Sequence, residues 1–125
     1  MKRPSFAAVC NLCMLYLLLS CGRLHHNINI HVSDSEHYYT MYARFNPDAT
    51  WRVEQYMNGK IGRKNNMSFT NTRIDGQLAL DDQTTFYIKK YPGYLEIKLD
   101  KDKNSGEAYY RIKNFCEGIK KALAS

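Results

Sequence analysis

The residue types that bind metals are present in this sequence, but their spacing does not build a metal site. All four histidines, His25, His26, His31 and His37, lie in the first third of the chain. A metal site needs three or four convergent ligands, each oriented by a further hydrogen bond. His31 and His37 flank a predicted hairpin turn, yet no carboxylate stands at metal-ligand spacing from them. We therefore expect surface histidines, with no metal and no other cofactor.

The cysteines likewise do not form a recognisable nucleophilic or redox site. Cys10 and Cys13 have the C-x-x-C spacing of redox and zinc motifs, but they lie in an apolar stretch without a second ligand pair. Cys116 falls on the apolar face of a predicted helix, and the chain contains no G-x-S-x-G nucleophile turn. A Ser or Cys nucleophile needs an adjacent base that a third group holds in place. We therefore predict that the protein is not an enzyme.

The charged clusters are typical of solvated loops. Asp100–Asn104 begins like a calcium-binding loop, but Gly106 and Glu107 stand at the wrong positions to complete one. Gly59–Lys64 combines glycine with positive charge, but it lacks the spacing of a phosphate-binding loop and follows a predicted helix rather than a strand. Neither segment predicts a ligand site.

The N-terminus has the three parts of an export signal. Lys2 and Arg3 precede an apolar run, Phe6–Leu19, that only Asn11 interrupts, and the small residues Ser20–Gly22 follow it. A helix over that run would be about 21 Å long, at about 1.5 Å per residue, whereas a membrane core is about 30 Å thick. A cleaved signal sequence is therefore favoured over a permanent transmembrane helix.

The end of this segment, Leu18-Leu19-Ser20-Cys21, resembles the lipobox of bacterial lipoproteins. The resemblance implies cleavage before Cys21 and a diacylglycerol-modified, acylated Cys21 that anchors the mature chain to a membrane. Gly22 stands where an aspartate is associated with inner-membrane retention, so the implied destination is the outer membrane, facing the periplasm or the cell surface. The alternative is an ordinary secretory signal cut after Gly22, which would leave a secreted soluble protein.

Composition and length predict one globular domain. The 125 residues are 44% hydrophobic and 24% charged, which is ordinary for a folded protein. We expect a signal peptide over residues 1–20, a tether over 21–26 and a single α+β domain over 27–125. The net charge of +6 includes Lys2 and Arg3, which leave with the signal peptide, so the mature chain is only mildly basic. Nucleic-acid binding is therefore not expected.

Alternation of apolar and polar residues predicts most of the fold. It indicates five strands, over residues 27–32, 37–45, 72–80, 85–90 and 95–99. Asn46-Pro47 is a typical helix start, and Asn58-Gly59 indicates the end of that helix, before a polar loop over residues 60–70. Ser105 is positioned to cap a second helix, with Glu107 in its first turn.

The second predicted helix has one apolar stripe, formed by Ala108, Ile112, Phe115, Cys116, Ile119 and Leu123. The element order is ββαβββα. We predict a two-layer α+β sandwich, in which two helices cover one face of a mostly antiparallel five-stranded sheet.

The uncovered face of that sheet is the best candidate for a binding surface. If Tyr39 and its apolar neighbours face the helices, Tyr38, Tyr42 and Arg44 face outward on the second strand, and Tyr87 and Lys89 face outward on the fourth. Tyrosine and arginine often anchor interfaces, so this face could bind a protein or a glycan partner in the cell envelope. The alternative is an ordinary solvent-exposed sheet face, for which tyrosine and lysine are also suitable.

These observations predict a small, lipid-anchored envelope protein that binds or assists assembly without catalysis. A secreted soluble domain, a purely structural tether and a small enzyme remain alternatives. The partner and the oligomeric state are left open by the sequence.

Overall fold

A computed structural model describes residues 28–125 and confirms the predicted α+β sandwich. The signal peptide, Cys21 and the tether lie outside the described residues. The elements follow the predicted order ββαβββα: β1 (Asn29–Asp34), β2 (Tyr38–Arg44), α1 (Thr50–Met57), β3 (Ile74–Ala79), β4 (Thr85–Tyr91), β5 (Tyr94–Asp100) and α2 (Gly106–Ala124).

The five strands form one antiparallel sheet in the order β1-β2-β5-β4-β3. The N-terminal hairpin is therefore paired with β5, the last strand of the chain. β4 and β5 are joined by Pro92-Gly93, and Gly93 has a φ of +81°. A side chain at this position would be strained, and its Cβ would lie 2.8 Å from the carbonyl oxygen of Phe45.

The inner face of the sheet and the two helices enclose the core. Its largest fully buried side chains are Tyr39, Phe69, Phe86, Met41, Met57, Ile88, Leu95, Ile97, Leu99, Ile112, Ile119 and Val53. The predicted burial is correct for the inward residues of β2 and β5, although Thr40 and Tyr94, which have the outward parity, are also buried. The burial predicted for β1 is wrong, because Ile28 and Val32 are 41% and 43% exposed. β1 is an edge strand, whereas α2 contacts β2 and β5.

The edge strand β1 is tied to the rest of the domain at Asp34. Lys101 lies 2.6 Å from the Asp34 carboxylate, and the Tyr109 hydroxyl of α2 donates a hydrogen bond to it. The hydrogen bonds from Lys101 and Tyr109 lower the pKa of Asp34 below its usual value. The carboxylate therefore stays ionised and holds β1 against α2.

The first helical segment begins as predicted but extends further. The Asn46 side chain accepts a hydrogen bond from the backbone N–H of Asp48, and a 3₁₀ turn over Pro47–Ala49 leads into α1. The expected stop at residues 58–59 is wrong, because a wide helical turn continues over Asn58–Gly62 and a 3₁₀ turn over Arg63–Asn65. Part of the segment predicted as a loop is therefore helical.

Asparagine side chains explain this extension. Asn58 does not end the helix, because its side-chain oxygen accepts a hydrogen bond from the Phe69 backbone N–H at 2.7 Å. Asn65 donates to the Ile61 carbonyl and accepts from the Asp81 backbone N–H, each at 2.7 Å. These contacts connect the segment after α1 to distant residues and stabilise its helical turns.

The helix α2 is confirmed in its cap and its apolar stripe. Ser105 accepts a hydrogen bond from the Ala108 backbone N–H, and all six stripe residues are buried. Gly118 lies against Tyr56 of α1. An ideal Cβ on Gly118 would lie 1.7 Å from the hydroxyl oxygen of Tyr56, whose ring stacks on Phe115 at 5.7 Å between centroids.

We therefore expect Gly118→Ala to destabilise the domain by about 1–3 kcal/mol, because the added methyl group overpacks the helix interface. In most helices the same substitution stabilises, since glycine costs about 1 kcal/mol relative to alanine. Urea unfolding measures the change. Gly106→Ala is the matched control in the same helix, because a Cβ there meets nothing within 4 Å. A stabilising Gly118→Ala would contradict the described contact between α1 and α2.

Candidate functional site

The candidate site is the sheet face opposite the helices, which we call the open face. Side chains of β2, β5 and β4 that alternate with the core residues line it, and the registers bring them together. All five outward-facing residues singled out in the sequence lie on it: Tyr38, Tyr42, Arg44, Tyr87 and Lys89. Neither helix of the described chain covers them.

One row of this face forms a stack of two arginines and two tyrosines. The guanidinium carbon of Arg44 lies 5.1 Å from the centre of the Tyr94 ring. The Tyr94 ring is stacked on Tyr91, with 4.7 Å between centroids and 10° between planes. Arg73 lies over the far side of the row, 6.0 Å from the Tyr91 ring. These distances fall within the range of cation–π attraction.

The next row contains one tyrosine followed by charged residues of alternating sign. Tyr42, which is 42% exposed, lies opposite Glu96 of β5, and Glu96 lies opposite Lys89 of β4. Lys89 in turn lies opposite Asp75 of β3. The strands β3, β4 and β5 and the N-terminal hairpin therefore contribute to one continuous surface.

A third row borders an open groove. The Lys98 ammonium lies 4.3 Å from the centre of the Tyr38 ring, and Lys98 is opposite Tyr87 in the register. The groove has a volume of about 610 Å³. Its lining is mostly polar: Tyr38, Gln77, Thr85, Phe86, Tyr87, Glu96, Lys98, Asp100 and Lys103.

Two tyrosine hydroxyls on this face donate to carboxylates. Tyr87 donates to Asp75 at 2.7 Å, and Tyr94 donates to Glu96 at 2.9 Å. The hydrogen bond to Asp75 raises the pKa of Tyr87 to about 12. Burial, with the hydrogen bond to Glu96, raises the pKa of Tyr94 to about 12. Both phenols stay protonated at neutral pH, so they act as donors and not as bases.

Comparisons with protein-family models, with curated proteins and with solved structures found no match to this chain. Neither helix within residues 28–125 combines the length and apolar character needed to cross a bilayer. The open face is therefore interpreted from its own geometry and charge.

The histidines and the cysteine that could carry chemistry do not converge within residues 28–125. His37 is exposed and pairs with Asp102 at 2.8 Å, whereas His31 lies opposite Tyr42 at the sheet edge. Within residues 28–125, no three histidine, cysteine or acidic side chains are placed to hold a metal ion. Cys116 is fully buried, and this burial raises the pKa of its thiol to about 12, far above the range of a reactive thiolate.

Sequence reasoning missed Tyr94 and Arg73 as members of the open face. The signal for Tyr94 was available, because Tyr91 and Tyr94 flank a two-residue Pro-Gly turn and such residues lie opposite each other in a hairpin. Arg73 precedes β3, and only the pairing of β3 with β4 shows that it reaches Tyr91.

A buried ion pair on the other face was also missed. Lys90 follows the inward parity of β4 and is 2% exposed, and its ammonium lies 2.5 Å from the Glu54 carboxylate of α1. The ammonium also donates to the Thr72 carbonyl at 2.7 Å. Both charged groups are buried and paired with each other, so we infer that they hold α1 against the sheet.

We expect Lys90→Met to destabilise the domain by about 3–5 kcal/mol, because it leaves the Glu54 carboxylate buried without a cation. The double variant Glu54→Leu with Lys90→Met should recover most of this loss, since it removes both charges. Chemical denaturation of the three proteins measures the effect. Lys89→Met, on the opposite face of the same strand, is the control and should change stability by about 0.5 kcal/mol or less. Additive losses in the double variant would contradict the pairing.

Proposed function

We propose that this chain is an exported, lipid-anchored envelope protein that binds a partner through the open face of its sheet, without catalysis. The observation that carries the proposal is the concentration of tyrosine and cationic side chains on the one sheet face that neither helix covers. Tyr38 and Tyr42 are 41% and 42% exposed there. Exposed rings beside arginine are the groups that most often supply binding energy at interfaces.

The two faces of the sheet differ in their contribution to stability, and this difference supports binding rather than a passive tether. The inner face supplies the apolar core and the buried Lys90–Glu54 pair. Loss of the Tyr38 or Tyr42 ring therefore removes little folding energy, so these two exposed tyrosines are not needed for the core. The hydroxyls of Tyr87 and Tyr94 are bound to Asp75 and Glu96, so these groups do not form an activated acid–base pair.

The location is proposed from the lipobox-like residues at positions 18–21. With Cys21 acylated, the start of β1 at Asn29 would lie at most about 28 Å from the membrane surface, because an extended chain spans about 3.5 Å per residue. The partner would then be found in the envelope, close to that surface.

The anchoring prediction concerns Cys21. We expect the wild-type protein to partition into detergent and to begin at an acylated Cys21. Cys21→Ser removes the acceptor thiol and should release the protein to the soluble fraction, because firm membrane binding needs more than one chain or signal. Mass spectrometry of the mature N-terminus checks this directly. An unmodified N-terminus at Arg23 would support the secretory alternative instead.

The binding prediction concerns Tyr42 and Arg44. Changing both to alanine should alter the unfolding free energy by about 1 kcal/mol or less, because both side chains are exposed. The same change should abolish capture of the envelope partner that the wild-type protein retains by crosslinking and pulldown. Tyr110→Ala with Lys121→Ala is the matched control, since Tyr110 is 62% exposed on α2. Undiminished capture by the Tyr42/Arg44 variant would make the open face ordinary exposed sheet.

A further inference from the structure

We propose that the partner of the open face is an anionic polysaccharide, whose acidic groups are held by Arg44 and Arg73 on either side of the Tyr91–Tyr94 stack. The proposal rests on the proposed binding function and specifies its ligand class. Three observations carry it. The four cations of this face form no ion pair, and they outnumber the carboxylates Asp75 and Glu96. Arg44 and Arg73 also lie far enough apart, on either side of the stack, to bind two acidic groups of one extended ligand.

The cations of the open face form no ion pairs. Within residues 28–125, Arg44, Arg73, Lys89 and Lys98 have no carboxylate partner and donate no side-chain hydrogen bond. Several cations away from the face are paired: Lys90 with Glu54, Lys101 and Lys113 with Asp34, Arg111 with Asp81 and Asp82, and Lys120 with Glu117. Lys60, Arg63, Lys64 and Lys121 also form no ion pair within residues 28–125, but the open face is distinguished by four such cations side by side on neighbouring strands.

The acidic residues of the same face do not neutralise this charge by contact. Asp75 accepts the hydrogen bond of the Tyr87 hydroxyl, and Glu96 accepts that of the Tyr94 hydroxyl. Lys89 lies between these two residues in the sheet register but forms no ion pair with either within the described chain. The two carboxylates keep their negative charge, because a phenol hydroxyl is a neutral donor. The four cations outnumber these two carboxylates and form no ion pair with them, which leaves a net positive face for an external anion.

The arginines are held in a form suited to oxyanions. The guanidinium carbons of Arg44 and Arg73 lie 5.1 and 6.0 Å from tyrosine ring centres, and neither guanidinium donates a hydrogen bond within residues 28–125, so their N–H donors are available. Those donors match a carboxylate or sulfate in bidentate geometry. Because neighbouring strands are about 4.8 Å apart, the Arg44 backbone on β2 and the Arg73 backbone beside β4 are separated by about 14 Å. This span suits a chain with repeated acidic groups better than a single small anion.

The remaining surface favours a sugar chain over an acidic protein. The large exposed hydrophobic side chains at the outward strand positions of residues 28–125 are the tyrosines Tyr38 and Tyr42, so this face exposes rings with polar edges and no large aliphatic side chain. The adjoining groove of about 610 Å³ presents Gln77, Asp100 and Lys103, which can hydrogen-bond to hydroxyl groups. Flat rings with polar edges and a polar groove match the alternating apolar and hydroxylated surfaces of a polysaccharide.

The test measures binding of the full chain, purified in detergent, to immobilised polygalacturonate. We expect binding that weakens as salt is raised, with no binding to neutral dextran and at least tenfold weaker binding to poly-L-glutamate. Arg44→Gln with Arg73→Gln should weaken binding to polygalacturonate at least tenfold. Arg63→Gln with Lys64→Gln is the matched control, because it removes the same charge from exposed residues that follow α1 and should change binding less than twofold.

Three results would overturn the proposal: no binding to polygalacturonate, equal binding to poly-L-glutamate, or equal losses in the two double variants, which would show an effect of net charge alone. If polygalacturonate fails to bind while Tyr42→Ala with Arg44→Ala still loses its envelope partner, the binding face stands and the ligand class is wrong. If that double variant also captures its partner normally, the proposed function fails as well.

Discussion

The architecture depends on how a lysine can lie inside it. The alternation that buries Phe86 and Ile88 also turns Lys90 inward, where an unpaired ammonium would be strongly unfavourable. Glu54 of α1 supplies the opposite charge, and the Thr72 carbonyl accepts a further hydrogen bond. This pairing fixes α1 against the inner side of β4, while α2 covers β2 and β5. Because both helices lie on one side, they leave the other side of the sheet uncovered.

Local patterns predicted the elements whose environment is set by their own periodicity. The alternation in β2 and β5 and the stripe of α2 predict the inward core residues correctly, because each pattern repeats over a full element. Two features were predicted wrongly because they depend on distant residues. Asn58 was expected to end the helix, but in the fold its side chain accepts a hydrogen bond from the Phe69 backbone. Val32 has the correct parity for burial, yet nothing in the sequence shows that β1 lies at an uncovered edge.

The outward residues of the candidate site could be predicted from strand parity, but the contacts among them could not. The outward positions Tyr38, Tyr42, Arg44, Tyr87 and Lys89 follow from alternation within single strands. Contacts within each row join residues of different strands, so they depend on the order of strands in the sheet. In this sheet β2 pairs with β5, which is not the next strand along the chain. The stacks of arginine on tyrosine could therefore be described only once the registers were known.

The position of β5 between β2 and β4 also has a consequence for how the domain folds. The hairpin of β1 and β2 is complete early in the chain, but it gains its next partner only after residues 45–93 have been bridged. Closing that loop costs chain entropy before any contact repays it, so we expect slow, late assembly of the sheet centre. The sheet therefore cannot be completed until β5 is available, which is compatible with the export proposed above.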